Sequence, residues 1–458
     1  MILILLSVRL CVRVQKFCFD PLEWLNNSSW FPFFAATPLP YAVGTCAENI
    51  RHIFLASDIL KKRPLLVRLR SFNGLLKFQI ASPALFSIHF HRSKRSHLFE
   101  LQCRLYYVFV TIYINIIFIF SRCAFLILKN LGVSKGDAHN NKSYSSFCSL
   151  LNTLSFPRIG LFPSVNTIYK ELIKYPESKY RLWDIMSKRS YAFTTKYTKC
   201  WQEYLQGIGL KSLDRLIVLH IRNSDYHNDS GRRNYRNATI DNYFPLIENI
   251  CNCGYNIVLL GGSSSDPIPQ RDNIYDLRHG TRGKPCSIDI YLVQHCFFYI
   301  GMMSGPLDVA ILFSRSTLVL NAYLPLHCFG YPSQTQYLLQ AHAQSDGERI
   351  KGIRNLVAAD IQLLDIHDLE TTNYNLRELL PMQILDFCMT RINKNSNQAF
   401  QSNHAFEDIT DLCAQQQYKV FSRLIKRNYS KVSAVRYDAI RFTVNALLSR
   451  GCVNIFEA

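Results

Sequence analysis

The sequence is short of acidic residues. It has 33 Asp and Glu against 52 Lys and Arg, which gives a formal net charge of +19 at pH 7. The excess is uneven, because residues 1–130 carry 16 Lys and Arg against 5 Asp and Glu. Such a chain is attracted to anionic partners such as nucleic acid, lipid head groups or phosphorylated substrates. For basic clusters such as Lys61-Lys62-Arg63, a solvated face and attraction to a membrane surface both stay open.

The signatures of nucleic-acid-binding modules are also lacking. The chain has no Cys/His finger spacing, no basic region joined to heptads and no RNP-like aromatic strand, so we expect no nucleic-acid partner. It contains 15 cysteines but no Cys-x-x-Cys pair, and Cys251-Asn252-Cys253 supplies too few ligands for zinc. Since no Asp-x-Asp pair occurs either, we expect no metal and no cofactor. The cysteine pattern favours buried free thiols and a cytoplasmic protein.

Long apolar runs are scarce. The N-terminal stretch lacks the charged region and the cleavage site of a signal peptide. The best membrane candidate is 105–128, in which Leu105–Phe120 is nearly all apolar but is interrupted by Asn115. These sixteen residues are fewer than the roughly 20 that a helix needs to span a bilayer. Two interpretations stay open, a buried or interface-lying helix that permits peripheral membrane association and a helix inserted into the membrane.

Length and composition predict a globular chain with more than one core. Its 458 residues are 48% hydrophobic and 19% charged. We predict an N-terminal extension at 1–34, an α/β domain at 35–205, a second α/β domain at 206–345 and a mostly helical tail at 346–458. In the first domain we expect a helix at 48–60, a strand at 65–67, an irregular or strand-bearing segment at 151–165 and helices over 166–205. In the tail we expect helices at 363–368, 376–390 and 406–448.

The second half alternates strand and helix patterns. Strands are predicted at 216–221, 256–260, 296–300 and 317–320, with helices at 240–250, 288–294 and 305–313. Pro245 fits the first turn of its helix, and Gly254 is placed to end it. This alternation is typical of a parallel sheet of Rossmann type, and hence of an α/β fold.

Polar residues follow the first of these strands. The run Leu216–Ile221 has His220 near its end and is followed by Arg222 and Asp225. Ligands of open parallel sheets bind at the carboxyl ends of the strands. A guanidinium group in that place can hold a phosphate by two parallel hydrogen bonds, which Lys cannot do. The segment therefore predicts a phosphorylated ligand.

Two downstream features bear on the same ligand. Ser304-Gly305-Pro306 opens a helix after a strand, and a helix N-terminus presents N–H groups and positive partial charge to a phosphate. An ordinary turn with a Ser cap is the alternative interpretation. Asp289 stands near a helix start, where it is either a first-turn acid or a carboxylate that accepts two N–H bonds from a purine base.

These residues together resemble a known family. His220-Ile221-Arg222-Asn223-Ser224-Asp225 is similar to the His-x-Arg-x-x-Asp motif of GDP-fucose-dependent α1,6- and peptide-O-fucosyltransferases, and Asp289-Ile290-Tyr291-Leu292 with Ser304 resembles their later nucleotide-binding block. Segments 222–227, 235–243 and 298–305 also resemble a group of bacterial glycosyltransferases with this fold. The resemblance is strongest over 210–325, and Pro40-Tyr41-Ala42-Val43-Gly44 anchors it in the first domain.

The resemblance implies a GT-B architecture, in which two Rossmann-like domains face a cleft and the C-terminal domain holds the donor. It implies a metal-independent, inverting transfer of a fucose-like sugar from a GDP-sugar to a glycan or lipid-linked acceptor. Arg222 would bind the β-phosphate and stabilise the leaving diphosphate, as charge develops there in the transition state. His220 and Asp289 would contact the base. Ser304 and Gly305 would hold phosphate oxygens.

The chain departs from that family at two places. The second Arg of the α1,6 enzymes is replaced by Asn223, and Ser230 stands near the position of their glutamate base. Asp225, His227 and Asp229 are the candidates for the base that remain. Two alternatives therefore stay open, a GT-B transferase that uses a UDP- or ADP-sugar and an inactive, basic, membrane-peripheral binding protein.

Overall fold

The structure is a computed structural model, and the chain divides into two compact units. One unit contains Met1–Ala192 and Arg427–Val444, and the other contains Phe193–Lys426 and Asn445–Ala458. The structure describes residues 24–39, 42–68, 82–90, 97–130, 161–175, 177–222, 237–262, 268–278, 283–322, 335–339, 341–344, 350–351, 374–395, 444 and 448.

The first unit begins with a β-α-β element. Strand β1 (Phe33–Ala36) runs parallel to β2 (Arg63–Leu66), and helix α1 (Val43–Ile59) connects them. The helix predicted at 48–60 and the strand predicted at 65–67 are confirmed, with both elements starting earlier. Buried Lys62 donates to the carbonyl oxygens of Leu25, Asn26 and Ser28, and burial lowers the pKa of this amine to about 8.

Helix α2 (His97–Asn130) contains the apolar run. Val110, Ile114 and Ile117 on one of its faces pack with Ala35 and Val67. Buried Asn115 of the same helix donates a hydrogen bond to the Thr111 carbonyl at 2.7 Å. None of the helices that the structure describes combines the length and the apolar character needed to cross a membrane.

Three helices follow in the chain, α3 (Leu161–Lys174), α4 (Ser178–Ser187) and α5 (Thr195–Gly207), of which α5 belongs to the second unit. The prediction of helices over 166–205 is confirmed, although the short strand β4 (Tyr191–Ala192) interrupts them and pairs antiparallel with β3 (His89–Phe90). The prediction of an irregular or strand-bearing segment at 151–165 is wrong over 161–165, where α3 begins. Pro163 lies in the first turn of α3, where its missing N–H costs no hydrogen bond.

The second unit is built on a six-stranded sheet in which every strand pair is parallel. Its strands are β5 (Leu216–Ile221), β6 (Asn256–Gly261), β7 (Ile274–Asp276), β8 (Phe298–Gly301), β9 (Ser316–Ala322) and β10 (Thr335–Leu339). Their spatial order is β10-β9-β8-β5-β6-β7. The four predicted strands and the predicted parallel sheet are confirmed. Strands β7 and β10 were not predicted from the sequence.

Helices connect and cover these strands. They are α6 (Phe244–Asn252), preceded by a 3₁₀ turn at Ile240–Tyr243, α7 (Ile288–His295) and α8 (Gly305–Leu312). All three predicted helices are confirmed, with Pro245 in the first turn of α6 and Gly254 just beyond its end at a φ of +76°. The core contains buried side chains of β5, β6, β8, β9 and α6, among them Leu219, Ile257, Ile300 and Leu320.

The described part of the tail is not purely helical. Strands β11 (Ala341–Gln344), β12 (Ile350–Lys351) and β13 (Tyr374–Arg377) form an antiparallel sheet, followed by helix α9 (Pro381–Asn395). The helix predicted at 376–390 is therefore wrong at its start, because the chain is extended up to Arg377 and Pro381 opens the helix. Helix α9 packs on α6 through the same core. The helix predicted at 363–368 lies outside the described residues, as does that at 406–448 except for Val444 and Leu448, which are helical.

Candidate functional site

The strand order of the second unit defines a switch point. From β5 the chain adds β6 and then β7 on one side, and it then crosses to the other side to add β8, β9 and β10 in turn. The connections that leave the carboxyl ends of the neighbours β5 and β8 therefore run in opposite directions. Ligands of open α/β sheets bind in the crevice that forms at such a point. His220 and Arg222 lie at the end of β5, and Ser304 follows β8.

The structure brings His220 and Ser304 together. The Ser304 hydroxyl lies 3.2 Å from His220 Nδ1 and donates to the Met302 carbonyl at 3.3 Å, across the neighbouring ends of β5 and β8. Ser304 occupies the N-cap position of α8 with φ −147° and ψ 171°, but its side chain makes no cap hydrogen bond. The first turn of α8 therefore keeps N–H groups that lack an intrahelical partner. Gly305, the first residue of α8, adds no side chain there.

Arg222 directly follows β5 and is buried, with 5% of its surface exposed. Its guanidinium donates to Asn237 Oδ1 at 2.9 Å. Its backbone carbonyl accepts from the Ala238 N–H at 2.9 Å, and its backbone N–H points at Met302 Sδ at 3.5 Å. The chain that leaves the sheet at Arg222 thus returns beside it at Asn237. A buried guanidinium is held in a fixed orientation at the switch point.

A polar network fixes the segment that begins at Asn237. Glu378 accepts hydrogen bonds from the Thr239 N–H at 2.9 Å and from its hydroxyl at 3.2 Å. The buried Tyr243 hydroxyl accepts from Asn321 Nδ2 at 3.1 Å, and Asn321 Oδ1 accepts from the Leu379 N–H at 3.1 Å. Burial, and then the nearby Glu378, raises the pKa of Tyr243. The ends of β9 and β13 and the start of α6 are joined by these bonds.

Asp289 lies in the first turn of α7, in a separate polar group. Its Oδ1 is 2.7 Å from Lys284 Nζ, and the same amine donates to the Leu277 carbonyl at 2.6 Å. Burial, and then the charge of Asp289, raises the pKa of Tyr204. About 39% of the Asp289 side chain is exposed, whereas its Oδ1 atom is buried. The position matches the first-turn interpretation, with Lys284 as the partner.

Sequence reasoning missed a second buried arginine that follows a strand of this sheet. Arg278 comes two residues after β7, and its Nε and Nη2 donate to the Asp276 carboxylate at 2.8 to 3.1 Å. The signal in the sequence was Asp276-Leu277-Arg278, a carboxylate and a guanidinium that flank the end of a strand. That strand was too short to stand out. The sequence pattern assigns no role to Asn237 either.

Other predicted residues lie outside the described part of the chain. They are Asn223, Asp225, His227, Asp229 and Ser230. The identity of the residue that acts as the catalytic general base therefore stays a prediction. Among the described residues, no group of three or more His, Cys, Asp or Glu side chains is arranged to hold a metal ion.

Comparisons with known proteins add little. No family model matches the sequence, and no curated protein matches it. One similar solved structure is the crystal structure of the glycosyl transferase family 9 from Veillonella parvula DSM 2008, at 14% sequence identity and a TM-score of 0.30. The match covers 45% of this chain and only 54% of that chain, about half its length. A superposition this poor carries no conclusion about fold or activity.

Proposed function

We propose that this chain is a glycosyltransferase that binds a nucleotide diphosphate sugar, with a GDP-sugar of fucose-like type as the first candidate. One observation supports the proposal: His220 contacts Ser304 across the ends of β5 and β8, and Arg222 directly follows β5, at the switch point of a six-stranded parallel sheet. That is where sheets of this order bind nucleotides. The resemblance to GDP-fucose-dependent transferases, which rests on the same residues, supports the choice of donor. The GT-B arrangement of two Rossmann-like domains is part of this proposal.

In the proposed reaction, an acceptor hydroxyl attacks the anomeric carbon of the sugar and the nucleotide diphosphate leaves, with inversion. Negative charge grows on the diphosphate as the bond between the anomeric carbon and the β-phosphate oxygen breaks and the new glycosidic bond forms. Arg222 would stabilise that charge, because a guanidinium offers two parallel donors and Asn237 holds it in place before the reaction begins. Ser304, Gly305 and the amino end of α8 would hold the remaining phosphate oxygens.

Other residues are needed to bind the guanine ring of the donor and to deprotonate the acceptor hydroxyl. Guanine presents two adjacent N–H donors, which suit the Asp289 carboxylate, and His220 would be its second contact in the family-like site. Asp225 is the first candidate for the group that deprotonates the acceptor hydroxyl, and His227 and Asp229 are the others. The acceptor would be a glycan or a lipid-linked sugar.

Nucleotide binding to the full chain tests the proposal. We expect GDP to raise the thermal unfolding midpoint more than UDP or ADP does, because binding to the folded state alone stabilises it. The shift should vanish in Arg222→Ala. Arg215→Ala is the matched control, since Arg215 is an exposed arginine at the opposite, amino end of β5 and should keep the full shift.

The outcomes separate the candidates. A larger shift with UDP or ADP would replace the GDP-sugar by another donor while keeping the transferase. GDP binding without hydrolysis or transfer of the sugar from any GDP-sugar would favour the binding protein without turnover. If no nucleotide raises the midpoint of the unaltered chain, the proposal fails.

A further inference from the structure

Helix α2 exposes an apolar stripe that is not part of any core cluster among the residues that the structure describes. The stripe comprises Leu105, Val108, Phe109, Ile112, Ile116 and Phe120, each of which is 47% to 69% exposed. These positions recur at spacings of three and four residues, so they share one face of the helix. The opposite face carries Val110, Ile114 and Ile117, which are buried. The helix thus has two apolar faces, and within the described part of the chain one of them packs into a core cluster while the other is exposed.

The stripe is too extensive to be explained as one or two apolar side chains exposed by chance. It covers sixteen residues, or about 22 Å of helix axis. Contiguous apolar surface of this kind marks a protein or membrane contact, whereas single exposed apolar residues are ordinary.

Two exposed tryptophans lie near the amino-terminal part of α2, connected to it through Phe31 and Tyr106. Trp24 and Trp30 are 61% and 65% exposed, and their rings meet edge-on at 5.7 Å. The Trp30 ring packs edge-on against Phe31, and the centroid of the Phe31 ring lies 4.5 Å from that of Tyr106 in α2. Tryptophan is enriched where proteins meet the head groups of a bilayer, because its ring is apolar and its N–H is polar.

Charge decides between a bilayer and a second copy of the chain. The segment 101–130 contains three basic residues, Arg104, Arg122 and Lys129, and no acidic residue. Lys61 and Arg104 are exposed. Two copies joined through this face would bring like charges together, in a region where 16 basic residues stand against 5 acidic ones. An anionic lipid surface instead attracts these charges while it buries the stripe.

We propose that this stripe, with Trp24 and Trp30, is the surface by which the chain attaches to an anionic membrane, with α2 lying in the plane of the interface. Packing of the opposite face on Ala35 and Val67 holds the helix against its unit. The helix therefore lies on the bilayer and contributes one face to it. The inference uses none of the residues proposed to bind nucleotide.

Vesicle co-sedimentation of the full chain tests this attachment. We expect binding to vesicles of phosphatidylcholine mixed with phosphatidylglycerol, and at least about tenfold weaker binding to phosphatidylcholine alone or in high salt. The double variant Phe109→Asn, Ile112→Asn should lose roughly 10- to 100-fold in partitioning, because two exposed apolar side chains no longer enter the lipid. The matched control is Tyr180→Asn, Leu380→Asn, which removes two apolar side chains that are 54% and 64% exposed elsewhere. It should bind as the unaltered chain does.

A second measurement does not depend on the variants. Brominated lipids should quench the fluorescence of the unaltered chain on binding, and Trp24→Phe, Trp30→Phe should remove most of that quenching, since Trp201 is buried and Trp183 is partly buried. The inference is overturned if anionic vesicles do not bind the chain. It is equally overturned if light scattering shows a dimer that the Phe109, Ile112 variant converts to a monomer while vesicle binding is unchanged. GDP-induced stabilisation of the same variant reports separately on the nucleotide site.

Discussion

Arg222 makes hydrogen bonds through its guanidinium group, its backbone carbonyl and its backbone N–H. The three contacts, to Asn237, Ala238 and Met302, come from segments on both sides of the switch point. An orientation that is fixed before the ligand arrives costs no reorganisation when charge develops. Asn237 acts on the proposed site through the arginine, and we therefore describe it as a positioning residue.

Replacing Asn237 tests that positioning. We expect Asn237→Ala to weaken GDP binding about tenfold or more, because hydrogen bonds to charged groups contribute about 1.5–3 kcal/mol. The affinity is measured by titration calorimetry. Asn249→Ala serves as the control, since it removes a comparable side-chain hydrogen bond, to the Pro245 carbonyl on α6, away from the arginine. Equal losses in the two variants would mean a general loss of stability instead of a positioning role.

Among the strands and helices, the end of β6 determines where β5 ends. Gly261 pairs with Ile221, the residue before Arg222, and has a φ of +145°, which side chains with a Cβ rarely adopt. A Cβ added there would overlap the carbonyl oxygen of Ile221 and lie 3.1 Å from its carbonyl carbon. A backbone atom cannot move aside as a flexible side chain does. The glycine therefore keeps two strand ends close together at the site.

Gly261→Ala should consequently disturb both stability and binding. We expect the free energy of unfolding in urea to fall by about 1–3 kcal/mol, from backbone strain and the displaced strand end. GDP affinity should fall as well, because Arg222 moves with Ile221. Gly207→Ala is the control, since α5 ends there with nothing within 4 Å of the added Cβ, and it should be neutral or slightly stabilising. Wild-type affinity in Gly261→Ala would contradict the coupling.

Periodicity predicted the strands and helices that bury one clear face. β5 and β6 are short apolar runs between turn residues, and α6 shows helical spacing, so each was predicted close to its observed bounds. The missed strands lack that pattern, since β7 has three half-buried residues and β10 is a polar-rich edge strand. In α3, Pro163 favoured an irregular segment where the chain is helical. In β13, helical spacing favoured a helix where the chain is extended up to Arg377.

The candidate site was predictable only in part, for a related reason. That His220, Arg222 and Ser304 would meet follows from the rule for parallel sheets, once two strands are recognised. The bonds that fix them join distant segments, such as Thr239 and Glu378, which are 139 positions apart. No local pattern specifies such a pair.

At the scale of the whole molecule, basic charge is concentrated in one part of the chain, whereas buried cysteines occur in both units. The basic excess lies mainly in residues 1–130, the region that carries the exposed stripe on α2. The eight cysteines whose side chains the structure describes are all free. Three of them, Cys46, Cys296 and Cys388, are fully buried, and burial raises the pKa of each thiol, to about 12 for Cys296. Cys46 belongs to the first unit and the other two to the second.

Thiol reactivity should follow this burial. We expect alkylation of the native chain at pH 8, followed by peptide mass spectrometry, to modify exposed Cys200 and Cys286 first. Cys46, Cys296 and Cys388 should react at least about 100-fold more slowly, because the thiolate is the reactive form and a raised pKa removes it. In denaturant the difference should disappear. Cys296 precedes β8 and donates to the Val293 carbonyl, so its rapid labelling in the native chain would show that β8 opens locally. Such opening would contradict a preformed site at the ends of β5 and β8, since Ser304 follows that strand.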